Sequence, residues 1–128
     1  MFNLNLFAVS SLLIVVSYIP LFFFIFTKGK TKVSKIYSLH ILSILLWGCG
    51  SLLIATQHDS TTILNKWKFA YSCALFIPVF FYHAVYLITK NTNKLTLIIV
   101  YSQALTFLFL LLNDKIFISP RFVFNQFY

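Results

Sequence analysis

Apolar residues run along this chain in four long blocks, at 5–27, 35–57, 67–89 and 95–112, separated by short polar stretches. A hydrocarbon core of about 30 Å takes roughly 20 apolar helical residues, so each block predicts a transmembrane helix, the fourth being the shortest. The connections "KGKTKVSK", "HDSTTILNK" and "KNTN" are too short to fold alone and suit antiparallel neighbours. The expected fold is therefore an all-α membrane protein, an antiparallel bundle of four transmembrane helices forming a single domain over 1–128. The tail at 113–128, "NDKIFISPRFVFNQFY", leaves two readings open. It is an interfacial segment whose aromatics rest among the headgroups, or a truncated tail between membrane elements. No internal repeat or low-complexity tract is visible.

Composition sharpens this picture. Hydrophobic side chains make up 60% of the 128 residues and charged ones only 9%, far from the balance of a soluble domain. The net charge of +8 would suggest nucleic acid in a soluble protein, but here the lysines lie between apolar blocks. That placement points to a lipid bilayer as partner and to no nucleic acid. Lys28, Lys30, Lys32 and Lys35 in the first connection, with Lys90 and Lys94 in the third, place both connections in the cytoplasm by the positive-inside rule. Both termini are then expected outside, in a multi-pass protein of the bacterial cytoplasmic (inner) membrane. "MFNLN" carries no Lys or Arg and no small-residue cleavage site follows, so the first helix is expected to stay. Cys49 and Cys73 lie inside apolar blocks without CxxC spacing and read as packing residues.

The third block contains "LFIPVFFYHAVYLI", in which Pro78 leaves the Ala74 carbonyl without its helical donor, predicting a bend. Pro20 does the same to Val16 in the first block. His40 lies roughly 8 Å above Lys35 and His83 roughly 10 Å above Lys90, so the two imidazoles are expected at matching depth. They are weak candidates for a shared proton, metal or haem. The plainer expectation is that each bonds a Ser, a Tyr or a backbone carbonyl, with Ser38, Ser43, Tyr82 and Tyr86 nearby. In "LLWGCGSLLIAT", Gly48, Ser51 and Ala55 form a strip of small side chains beside Trp47 that lets a helix approach closely. That helix belongs to the chain's own bundle or to a second copy in a homo-oligomer. Trp67 and Lys68 read as an interfacial anchor with a snorkelling lysine, complementing the anchoring lysines of the first connection. No acid lies inside any block, and no catalytic group, phosphate loop or metal cluster is seen. No enzymatic activity and no cofactor are expected.

Taken in order, the lysine-rich loop, "LLWGCGSLL", and "KWKFAYSCALFIPVFFYHAVYLIT" with its Lys-Trp start and its Pro followed by aromatics and His, resemble one family. It is the seven-helix amino-terminal sensor region of bacterial histidine kinases, of which this chain would supply the first four helices. The resemblance implies a membrane-embedded sensory input module of a two-component signal-transduction protein. Trp47, Gly48, Pro78 and His83 would then be packing and shape positions, and further transmembrane helices or a signalling partner would complete it. The kinase domains of that family are absent from these 128 residues. The alternative is a freestanding small four-helix protein acting as a subunit, lipid-binding protein or transporter. Length and span number resemble the small multidrug exporters, but "FAVSSLLIVVSYIPLFFFIF" lacks the first-helix carboxylate that proton-coupled exchange requires.

Overall fold

A hydroxyl or an amide opens the two helices whose starts carry a described cap. In the computed structural model, which describes residues 6–56, 60–115, 122–123 and 126–127, Thr31 Oγ1 accepts from the Ser34 N–H at 3.1 Å and starts α2 (Lys32–Ala55). The Asn93 side chain accepts from the Leu95 N–H at 3.1 Å and starts α4 (Lys94–Leu112). α1 (Leu6–Lys28) precedes them and α3 (Ser60–Ile88) lies between. All four helices are long and apolar enough to cross a membrane. Several hydroxyls are satisfied locally, as a hydrocarbon setting favours: Ser11, Ser43 and Ser72, and Thr89 just past α3, each donate to the carbonyl four residues earlier.

Several boundaries differ from the expected ones for identifiable reasons. α2 begins three residues before 35, because Thr31 caps it inside the lysine-rich connection. It ends at Ala55, with the Thr56 N–H on the Leu52 carbonyl, and Gln57 lies outside the described residues, as does Asn5. α3 begins seven residues before 67, so most of the expected loop "HDSTTILNK" is helix. Its Ile63 is fully buried against Ile54 and Ala70, a contact that a solvated loop would forfeit. At the far end Lys90 takes φ 51°, and the Asn91 N–H reaches back to the Tyr86 carbonyl, closing α3 with a left-handed turn. In the tail, β1 (Phe122–Val123) and β2 (Gln126–Phe127) pair antiparallel, so the described chain is not wholly helical.

Between α1 and α2 the turn is tight. The Gly29 N–H donates to the Ile25 carbonyl at 2.8 Å, and a Cβ on Gly29 would run into that oxygen and lie 2.5 Å from Ser34 Cβ. Glycine is required there for space.

The helices pack as a row: α1 on α2, α2 on α3, the broadest contact, and α3 on α4. α2 sits inside this row because it carries glycine on two sides. Gly48 and Gly50 are buried and about 200° apart around the helix. A Cβ on Gly48 would lie 2.9 Å from Ile14 Cγ2 of α1, and one on Gly50 would lie 2.8 Å from Ala70 Cβ and 3.0 Å from Ala70 Cα of α3. At one end of the row Phe7 of α1 joins Trp47 and Ile54 of α2 and Ile63, Trp67 and Ala70 of α3 in a single cluster. Large side chains such as Phe23, Phe24, Phe26, Ile88 and Phe109 are exposed, as lipid-facing residues are.

The two glycines differ in what resists a methyl group. Gly50→Ala meets the backbone of Ala70, whereas Gly48→Ala meets a side-chain methyl. Gly50→Ala is expected to cost about 1–3 kcal/mol and Gly48→Ala less. Thermal unfolding in detergent should rank Gly50→Ala below Gly48→Ala and both below the parent; equal midpoints for the two variants would show that backbone contact at Ala70 is not limiting.

Candidate functional site

The polar chemistry at membrane depth gathers on one stretch of α3, residues 77–83. Nδ1 of His40 on α2 lies 2.9 Å from the Ile77 carbonyl oxygen. A carbonyl only accepts, so this nitrogen carries a proton and donates. The ring lies between Tyr37 of its own helix and Phe81 of α3, with centroids 5.5 Å from each. Nδ1 of His83 shares a 2.9 Å hydrogen bond with the Tyr101 hydroxyl of α4, and the two rings meet edge to face at 5.8 Å. Phe80 adds a second edge contact to Tyr101 at 6.4 Å.

These contacts place the two histidines with different partners. Ile77 and Phe81 face α2, and His83 leaves α3 about 140° around the helix from them. The structure therefore does not bring His40 and His83 together. Each ring closes one helix interface: a backbone carbonyl for His40, and a tyrosine of the next helix for His83. Among the described residues no group of three His, Cys, Asp or Glu is arranged to hold a metal ion. Cys49 and Cys73 are free and half-buried.

Pro78 lies inside α3 between the two histidine contacts, and helix continues on both sides of it. It lines an apolar groove of about 580 Å³ between α3 and α4, whose walls include Phe81, Tyr82, Val85, Gln103 and Phe107. Pro20 is exposed on α1, as is Val16, whose carbonyl it frees. Gly48 and Ser51 are buried, Trp47 and Ala55 half-buried; the contact of Gly48 with Ile14 assigns that part of the small-residue strip to the chain's own α1.

Trp67 is not simply at a lipid interface. It stacks on Tyr71 at 5.2 Å and packs into the cluster with Trp47. Lys68 has a specific partner as well, its Nζ lying 2.7 Å from Asp114 Oδ1. Asp114 follows the end of α4 at φ 57°, a conformation aspartate tolerates better than most residues, and from there its carboxylate reaches Lys68, about two turns into α3. Lys28, Lys30, Lys32 and Lys35 are exposed around the α1 to α2 turn.

Three contributors escape sequence reasoning. Gly50 was visible in "GCG", but a strip at helical spacing through Gly48 passes it by. Tyr101 sits in "YSQ", the densest polar group of α4, which signals a contact without naming its partner. Asp114 gives no signal beyond being one of two acids. Comparison with protein-family models, curated proteins and solved structures finds no match for the chain.

The hydrogen bond between His83 and Tyr101 can be weighed by a double-mutant cycle. His83→Phe and Tyr101→Phe should each destabilise the protein, with a coupling of about 0.6 kcal/mol and an upper bound of about 1.7 kcal/mol, the span for such bonds inside membranes. Additive effects would show that the two side chains do not interact.

Proposed function

We propose that this chain is a membrane-embedded input module of a bacterial signal-transduction protein of the histidine-kinase type. It works by shifting the packing of its helices rather than by chemistry of its own. In this reading the helices cross the cytoplasmic membrane in alternating directions. The lysines at 28–35 and at 90 and 94 lie inside, and the amino terminus and Asn113 lie outside. Further membrane helices or a signalling partner receive the conformational bias.

The observation that carries the proposal is the double attachment of residues 77–83. Ile77 is held by His40 of α2 and His83 holds Tyr101 of α4, with Pro78 between them. A tilt or rotation of α3 at Pro78 therefore displaces both neighbours, which gives one helix two packing states to choose between. The motif order from the lysine-rich loop through "KWKFAYSCALFIPVFFYH" supports the assignment to a sensor region.

The apolar groove beside Pro78 favours one second reading, a freestanding lipid-binding membrane protein. The intact mass of the native product, captured through an amino-terminal tag at its own locus, separates the two. The sensor reading predicts a mass well above the 14.9 kDa of these residues, with signalling domains in the additional sequence. A product of 14.9 kDa would refute it and leave the lipid-binding reading.

A further inference from the structure

Tyr82 of α3 and Gln103 of α4 both line the apolar groove beside Pro78, and neither meets a hydrogen-bond partner among the described residues. The polar groups around them on α4 are satisfied. Thr96 donates to Asn93, Ser102 to Ile99 and Thr106 to Ser102, all to backbone carbonyls, and Tyr101 bonds His83. A hydroxyl or an amide left bare in hydrocarbon is costly, so a groove that presents one of each from its two walls favours an occupant that pairs them. Its volume of about 580 Å³ is that of a small-molecule site.

Depth and charge narrow the occupant. Tyr82 lies six residues before the end of α3 at Ile88, and Gln103 nine residues after the start of α4 at Lys94. At about 1.5 Å per residue they stand roughly 9 Å and 14 Å from the same end of the bundle, on the two walls of one groove. A phospholipid keeps its headgroup and ester oxygens near the interface, roughly 15 Å from the midplane of the bilayer, and offers only acyl chain at this depth. None of the residues lining the groove is charged, so an ionised molecule would find no counter-charge there. Phe81, Tyr82 and Phe107 give the walls aromatic faces, which suit a ring.

We infer that this groove binds an uncharged, lipid-soluble carbonyl compound, its carbonyl oxygen held between the Tyr82 hydroxyl and the Gln103 carboxamide and its apolar body against Pro78 and Phe107. Tyr82 donates through its O–H and Gln103 through an N–H, and a carbonyl oxygen has two lone pairs with which to accept both. An acyl chain of the surrounding lipid fills the same space but leaves both donors bare. The carbonyl therefore adds affinity that an all-carbon ligand of the same shape lacks. Binding stands on the groove alone; that the compound is the stimulus, biasing α3 at Pro78 through the wall it occupies, rests on the sensor reading.

The test uses the full chain in liposomes and a dodecyl-substituted benzophenone, whose carbonyl, once excited by light, cross-links to the C–H groups nearest to it. Adducts should appear saturably on residues 75–85 of α3 and 100–107 of α4. Excess dodecyl acetophenone should suppress them, and dodecylbenzene, which lacks the carbonyl, should not at the same concentration. Tyr82→Phe and Gln103→Leu should each weaken labelling about three- to tenfold, the effect of one hydrogen bond inside a membrane. The competition on the parent chain needs no variant to fold. Equal suppression by dodecylbenzene would overturn the proposal, since the groove would then take acyl chains regardless of a polar group. So would labelling spread evenly over the lipid-facing helices, or labelling unchanged in both variants. The mass of the native product decides the sensor reading independently, so the two fail separately.

Discussion

Close backbone approach on both sides of α2 is the constraint on which the row of helices depends. In lipid there is no gain from hiding apolar surface, because the acyl chains are as apolar as leucine, so helices associate where their backbones come close enough for dense contact. Gly48 opens α2 toward Ile14 of α1 and Gly50 opens it toward Ala70 of α3. Two glycines within three residues would be a liability in a water-soluble helix. Here they hold the helix between two neighbours.

On this apolar frame a few polar contacts fix how the helices meet. His40 ties α2 to the Ile77 carbonyl, His83 ties α3 to Tyr101, and Lys68, about two turns into α3, ties that helix to Asp114 past the end of α4. The first two sit where water is scarce and geometry matters most. The ion pair joins a largely covered lysine to a half-exposed carboxylate and contributes about 0–1 kcal/mol, more in orientation than in stability. α4 is thus clasped to α3 near its middle and just past its end, with the groove beside Pro78 running along the same interface. α3 is the helix through which α2 and α4 feel each other.

The four apolar blocks could be read directly, because a membrane span is fixed by length and composition. What could not be read is rotation. A helix that is apolar on every side carries almost no moment to show which face meets a neighbour. The depths of His40 and His83 could therefore be counted from the lysines, but their partners could not. Tyr101 and Ile77 answer to the rotation of α3 about its axis. The early start of α3 was hidden for another reason. "STTILN" is too polar for a span, yet its single Ile63 finds Ile54 and Ala70 and extends the helix beyond the apolar block.

The order of the helices is the central claim, and a pair of distances tests it. Phe7, Ile54 and Trp67 share one cluster and Lys68 meets Asp114, so Ser10, Leu53 and Leu112 lie toward the same end of α1, α2 and α4. Spin labels at Ser10 and Leu53, and separately at Ser10 and Leu112, can be measured by pulsed electron resonance in liposomes diluted with unlabelled chain. An open row with about 8–10 Å between helix axes predicts a separation between axes of about 10 Å for the first pair and roughly 20–30 Å for the second, before the reach of the labels. Two similar short distances would mean that α4 folds back onto α1, and the row centred on α2 would be wrong.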